Sequence, residues 1–196
     1  FGLSKTESEP GWEKLLDENK KLLEPISVRR YFVQAPFALT VRGAPSHIAK
    51  IRNHPGKPAL GEREIQTAGE FFLSKADSDL LAEGEAFRLK GLYNVKIAEK
   101  NADLIVADYA GDDLLAGKKL QWVAKADALQ CEVQIPHDLL LENGEFNPGS
   151  LETQAGMCEK SCSQLQTGTS LQFERYGFVR LDSKSGPKLS FIFISR

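Results

Sequence analysis

The side chains of this 196-residue sequence best suited to chemistry are cations and amides carried on rigid or alternating segments. The run RNHPGKPALGEREI, residues 52–65, holds Arg52, His54, Lys57 and Arg63 on a backbone that two prolines and two glycines keep out of helix. Cations fixed on such a loop suit a phosphate backbone, although a plain turn with solvated charges has the same composition. In GEAFRLKGLYNVKI, residues 84–97, extended geometry sends Arg88 and Lys90 to one side and Phe87 and Leu89 to the other. The cationic side could meet a phosphate or an unstacked base, and the same alternation describes any half-buried strand. In LQFERYGFVRLD, residues 171–182, Gln172, Glu174 and Tyr176 share one face and Leu171, Phe173 and Arg175 the other. Gly177 then permits a bulge or a close approach. A Gln amide both donates and accepts, and Arg offers a fork of donors, which is what reading a base edge requires. Pairing of Glu174 and Arg175 with neighbouring strands is the structural alternative.

Charge is distributed unevenly around these segments. Residues 29–63 contain seven bases (Arg29, Arg30, Arg42, Lys50, Arg52, Lys57 and Arg63) and one acid, Glu62, in a chain of net charge -2. A broadly basic coat is thereby excluded, and any RNA contact has to be concentrated on one face. Residues 99–160, with twelve acids and five bases, are expected to face away from RNA. Cys131, Cys158 and Cys162 cannot all pair, which fits a reducing compartment. Cys158 and Cys162, four apart, match no familiar zinc knuckle, so no metal is expected. Nor is there a phosphate-binding glycine loop, a nucleophile elbow or a Cys-His signature, and no catalytic residue is assigned. Without an apolar run near the roughly 18 residues that span a membrane, the expectation is a soluble cytoplasmic protein with no membrane or DNA partner.

The elements that must position these residues are mostly strands. Ser8 and Pro10 precede a helical pattern of Trp12, Leu15, Leu16, Asn19, Leu22 and Leu23 that Pro25 ends. From Ser27 on, about nine short β-rich runs punctuated by Gly, Pro, Asn and Asp predict a mainly β fold: two small antiparallel β-barrels preceded by a short amphipathic helix. A brief helix is expected at residues 76–83, and residues 136–168 read as a long connection.

A family resemblance rests on these same segments. His54-Pro55, Lys57-Pro58 and Leu60-Gly61-Glu62-Arg63 are similar to a loop of the glutamyl- and glutaminyl-tRNA synthetases. Arg88-Leu89-Lys90 followed by Leu92-Tyr93-Asn94-Val95 resembles a strand of the archaeal-type glutamyl enzymes, and Gln172-Phe173-Glu174-Arg175 with Gly177-Phe178 is similar to a motif near their C-terminus. The segments at Ser74, Leu120–Val123, Asn147-Pro148 and Phe191–Phe193 agree in order. Over nearly its whole length the sequence resembles the C-terminal anticodon-binding region of archaeal/eukaryotic-type glutamyl-tRNA synthetases, with glutaminyl-tRNA synthetases as nearest relatives.

The resemblance implies two barrels that grip an anticodon loop and unstack its bases. Arg29 or Arg30 would meet the middle base together with Gln172, Arg88 and Lys90 the first base, and Arg175 belongs to the same motif as Gln172. Arg52, His54, Lys57 and Arg63 would follow the phosphate backbone. Where glutaminyl enzymes carry a basic pair for the third base, Asp79 and Leu80 stand here, and Asn94 and Gln121 look like the glutamyl branch. The implied partner is tRNA(Glu), with tRNA(Gln) as a second candidate. ATP and Mg would be bound in a catalytic half whose His-Ile-Gly-His and Lys-Met-Ser-Lys signatures are not in this sequence, so a chain opening at Phe1 is expected to be an inactive fragment of a glutamate-tRNA ligase without cofactor of its own. The expected organisation is a helical linker over 1–26 and an anticodon-binding region over 27–196. Residues 85–170 would form the distal barrel, and 27–84 with 171–196 the proximal one. Competing readings are a glutaminyl-type region, a freestanding RNA-binding barrel and a protein-interaction barrel.

Overall fold

The computed structural model describes residues 12–114 and 116–196, except the side chains of Trp12 and Glu13. Ser8 and Pro10, expected to open the first helix, lie outside the described residues. In chain order the elements are α1 (Trp12–Leu23), β1 (Arg29–Arg30), β2 (Phe32–Gln34), β3 (Pro36–Arg42), β4 (His47–Arg52), β5 (Glu62–Thr67), β6 (Glu70–Ser74), α2 (Lys75–Asp79), β7 (Ala86–Leu89), β8 (Asn94–Lys100), β9 (Leu104–Tyr109), β10 (Lys119–Leu120), β11 (Val123–Ala124), β12 (Ala128–Pro136), β13 (Leu151–Glu159), β14 (Ser170–Phe173), β15 (Gly177–Ser185) and β16 (Lys188–Ser195).

The chain is mainly β, as expected, and its strands form two curled, barrel-like sheets of seven strands each plus the β4–β5 hairpin. One sheet runs β10-β7-β8-β9-β3-β6-β11 and the other β1-β14-β15-β16-β12-β13-β2. In each order the two outermost strands are halves of one continuous stretch, broken at Gln121-Trp122 in the first and at Tyr31 in the second. Each sheet is therefore closed by a strand that pairs with one edge, kinks, and pairs with the other. Closure leaves no bare edge of unpaired amides and carbonyls. Most neighbours are antiparallel, and the pairs β1–β14, β7–β10, β12–β16 and β3–β9 are parallel.

The sheets divide the chain differently from the expected partition at 85 and 171. The first barrel is contiguous, residues 36–124, and the second is assembled from 29–34 and 128–195. Long-range pairings decide this: β3 lies between β6 and β9, and β12 between β13 and β16, none of which local pattern encodes. The count of nine runs also changes to sixteen strands among the described residues, because turns and breaks split the longer runs and because β4 and β13 lie outside them. Residues 136–168, read as a connection, contain the nine-residue strand β13. Its sequence, LETQAGMCE, is poor in β-branched residues, and its ladder with β12 overrides that propensity. The helix expected over 76–83 is only α2, capped where the Ser74 hydroxyl accepts from Asp77 N–H at 3.1 Å.

Alternation builds both cores. Phe87, Leu89, Val95, Ile97, Ile105 and Trp122 are buried in the first barrel, and Val133, Leu171, Phe173, Val179, Leu181 and Phe191 in the second. The cysteines 131, 158 and 162 are free and buried in the second core, where Cys158 lies between the other two and the thiols of Cys158 and Cys162 are held well above their ordinary pKa by their sulfur neighbours and by burial. Helix α1 ends at Leu23, two residues before Pro25, and leaves Leu15 and Leu22 exposed. No helix of the described residues is long and apolar enough to cross a membrane.

Candidate nucleic-acid interface

The two broken closing strands meet one another. Tyr31, at the break of the second barrel, packs edge-on against Trp122, at the break of the first, with ring centroids 5.8 Å apart. Both rings address the backbone of Lys90: the Trp122 indole N–H donates to the Lys90 carbonyl at 3.0 Å and the Tyr31 hydroxyl at 3.4 Å. With its amide turned so that both ends are satisfied, Gln121 donates to the Glu174 carbonyl at 2.8 Å and accepts from Phe32 N–H at 2.9 Å. Lys90 thus stands where the barrels join, on a backbone fixed from both sides.

A buried ion pair secures the third wall. Arg63 on β5 makes a bidentate pair with Glu159 on β13, both contacts at 2.6 Å, with side chains only 6% and 4% exposed. Glu159 also accepts from Tyr31 N–H at 2.6 Å, and Arg63 lies 5.0 Å over the Tyr31 ring. Burial pushes the Tyr31 phenol up, so it remains a donor. The hairpin is pressed onto the turn after β7, where a Cβ on Gly91 (φ +71°) would lie 2.5 Å from Ile51 Cδ1.

Between hairpin and junction lies a cleft of about 240 Å³ walled by Arg29, Tyr31, Lys50, Ile51, Arg52, Pro55, Lys90, Gly91 and Glu174. Four of these are cations and one is an acid, Glu174, whose carboxylate meets the Lys90 ammonium. Burial, then the charges of Arg29, Arg175, Arg63 and Lys119, lower the Lys90 pKa even with the Glu174 carboxylate beside it. Gln172 lies beside Arg29 in the β1–β14 register, and its amide has no hydrogen-bond partner among the described residues.

The sequence-assigned residues therefore separate into groups. Arg29, Arg52 and Lys90 converge on the cleft, with Gln172 beside them. Arg30, left undecided with Arg29 by sequence, turns the other way to Asn53 Oδ1 at 2.7 Å, and burial and the nearby Arg63 lower its pKa. Arg88 is enclosed by acceptors: Leu92 O at 2.7 Å, Asn94 Oδ1 and Asp112 O at 3.0 Å, and Asp113 O at 3.1 Å. It ties the 112–113 loop to the turn carrying Lys90. Arg63 is interior, and so is His54, whose Nδ1 accepts from Gly56 N–H while Nε2 donates to the Glu24 carbonyl. Both were read as phosphate contacts because sequence cannot tell a cation aimed outward from one that anchors its own loop. Lys57 is exposed on that loop.

Arg175 crosses between barrels to Asp77, two contacts of 3.1 Å, from a left-handed backbone (φ +64°) in the turn after β14. Strand geometry ends at Phe173, so the alternation expected through Tyr176 does not hold there. Gly177 does mark a close approach, since a Cβ would lie 2.6 Å from Ser195 O. Sequence assigns no site role to Tyr31, Trp122 or Glu159, and places Lys50 only within the basic run 29–63. The one signal for the aromatic pair is that each sits among polar or basic neighbours inside a β-rich run.

Two family models, each described as an anti-codon binding domain of the class I tRNA synthetases (E and Q), match residues 27–110 and 119–182. The chain belongs to this anticodon-binding family. The first match contains the closing strand of the second barrel together with most of the first barrel, and the second opens on the closing stretch of the first barrel that carries Trp122. Among relatives, the glutamate–tRNA ligase of Pyrococcus abyssi is 37% identical over 98% of this chain, that of Cenarchaeum symbiosum 36% over 94%, and that of Methanocaldococcus jannaschii 31% over 94%. The chain spans about a third of the length of these relatives, 32%, 32% and 31% respectively. As an anticodon-binding region it presents no three of His, Cys, Asp and Glu converging on a metal site among the described residues.

Proposed function

We propose that this chain is the part of a cytoplasmic glutamate–tRNA ligase that holds the anticodon loop of tRNA(Glu), while ATP and Mg-dependent attachment of glutamate takes place elsewhere in the full enzyme. The observation that carries the reading is the cationic cleft at the junction, in which Arg29, Lys50, Arg52 and Lys90 stand around one acid. Single-stranded RNA is recognised by splaying bases against such surfaces, with cations on phosphates and amides on base edges. In this reading Arg29 and Lys90 meet phosphate or base oxygens, Gln172 pairs with a base edge, and Arg88 supports the turn beneath Lys90. Glu174 holds Lys90 in the absence of RNA and releases it to the ligand.

Binding of anticodon-arm hairpins differing only in the anticodon tests this directly. Lys90→Ala or Gln172→Ala is expected to weaken the glutamate hairpin by about 1–3 kcal/mol and an unrelated hairpin much less. Equal losses on both RNAs would favour a generic RNA binder, and full affinity for the glutamine hairpin would add tRNA(Gln) as a second substrate.

A further inference from the structure

The loop 53–61 separates two depressions. On one side Arg52 and Pro55 wall the cationic cleft; on the other, His54 and Lys57 face Asp17, Lys20, Lys21, Glu24 and Pro25 of α1 and its following turn across a groove of about 650 Å³. The groove is fixed to the cleft. Glu24 receives Arg29 at 2.6 Å through its carboxylate and His54 at 3.1 Å through its carbonyl, so the end of α1, the loop and β1 form one support. With Glu24 taken up by Arg29, and Lys21 on Glu18 at 2.6 Å, the lysines of this groove left without a partner among the described residues are Lys20 and Lys57, one on each wall.

We infer that this groove is a second RNA contact, holding the phosphate backbone of the paired stem that continues from a loop bound in the cleft, with Lys20 and Lys57 as its contacts. The inference rests on the proposed function and extends it from loop to stem. Ammonium groups on flexible stems, with neither a fork of donors nor an aromatic platform in the groove, suit phosphates rather than bases. Their contribution is accordingly independent of sequence and strongly dependent on salt.

The test measures, for the intact chain and for Lys20→Gln/Lys57→Gln, binding of an anticodon-arm hairpin and of its unpaired loop heptamer across a range of salt. For the hairpin, the double variant should bind on the order of tenfold more weakly at low salt, with the slope of log K against log salt reduced by about two. That loss should be the same for every anticodon and absent with the heptamer, and Lys20→Arg/Lys57→Arg should restore binding. Hairpin affinity and slope unchanged by the double substitution would overturn the inference and leave the cleft intact. Equal weakening of heptamer and hairpin would also overturn it, since the lysines would then act on the loop. A wild-type chain that bound neither RNA would remove the proposed function and this inference together.

Discussion

Replacing Glu159 by Ala isolates the interaction that holds the β4–β5 hairpin against the second barrel. The substitution removes both contacts to Arg63 and the acceptor of Tyr31 N–H, and leaves a guanidinium buried between hairpin and barrel. Both side chains are more than nine-tenths buried, so solvent screening does not soften the loss. Breaking such a pair from one side costs about 3–5 kcal/mol, and an orphaned buried N–H costs about 1–3 kcal/mol more. Arg63 keeps the carbonyls of Ile51 and Arg52, which places the expected total near 4 kcal/mol. For a domain of this size that corresponds to a fall in Tm of roughly 8–16 °C. Urea unfolding followed by tryptophan fluorescence measures it, because Trp122 packs on Tyr31. Replacing the pair together, Arg63→Met with Glu159→Leu, should recover most of the ion-pair share, leaving the Tyr31 N–H cost. A loss below about 1 kcal/mol for Glu159→Ala, or a double variant no better than the single, would refute the claim that burial gives this pair its weight.

Other substitutions probe the junction and the cleft. Trp122→Phe removes one donor from the Lys90 carbonyl and should cost about 1 kcal/mol in urea unfolding, with weaker hairpin binding at unchanged Arg29. Gly91→Ala forces a Cβ to within 2.5 Å of Ile51 at φ +71° and should destabilise by about 1–3 kcal/mol, as read by Tm. Arg175→Gly relieves a left-handed backbone that costs about 1–2 kcal/mol, but loses part of this to the more flexible unfolded chain and gives up a half-exposed ion pair worth up to about 1 kcal/mol, so its Tm should hardly change while Arg175→Ala lowers it. Because the Lys90 pKa is lowered, its charge is full at low pH and is lost, as pH rises, before that of an ordinary lysine. RNA affinity should fall over that lower alkaline window, and Lys90→Arg should abolish the fall.

What the sequence revealed follows from what is local. Period-two alternation placed Phe87, Leu89, Leu171 and Phe173 inside, and Gly177 was legible as a close approach. Of the basic run 29–63, Arg29, Lys50 and Arg52 come together at one cleft, where Lys90 joins them. The rest depends on partners distant in sequence. Nothing near Arg63 announces Glu159, 96 residues away, so a buried anchor reads like an exposed cation. His54 is likewise claimed by a carbonyl 30 residues earlier, and Arg88 by carbonyls 24 and 25 residues later. The barrel boundaries were missed for the same reason, since the parallel pairs β3–β9 and β12–β16 leave no turn signature.

The nesting of one barrel within the other imposes an order of assembly. The contiguous unit, residues 36–124, carries its own closing stretch and can complete itself as soon as it has left the ribosome. The surrounding unit cannot, because residues 29–34 must wait for partners at 156–158 and 172–173, more than 120 positions downstream. The inner unit shortens that wait: once folded, it delivers Gln34 and Ala128 to the same seam and turns a long, costly ring closure into a short one. A lesion that slows the inner unit should therefore appear as failure of the outer one.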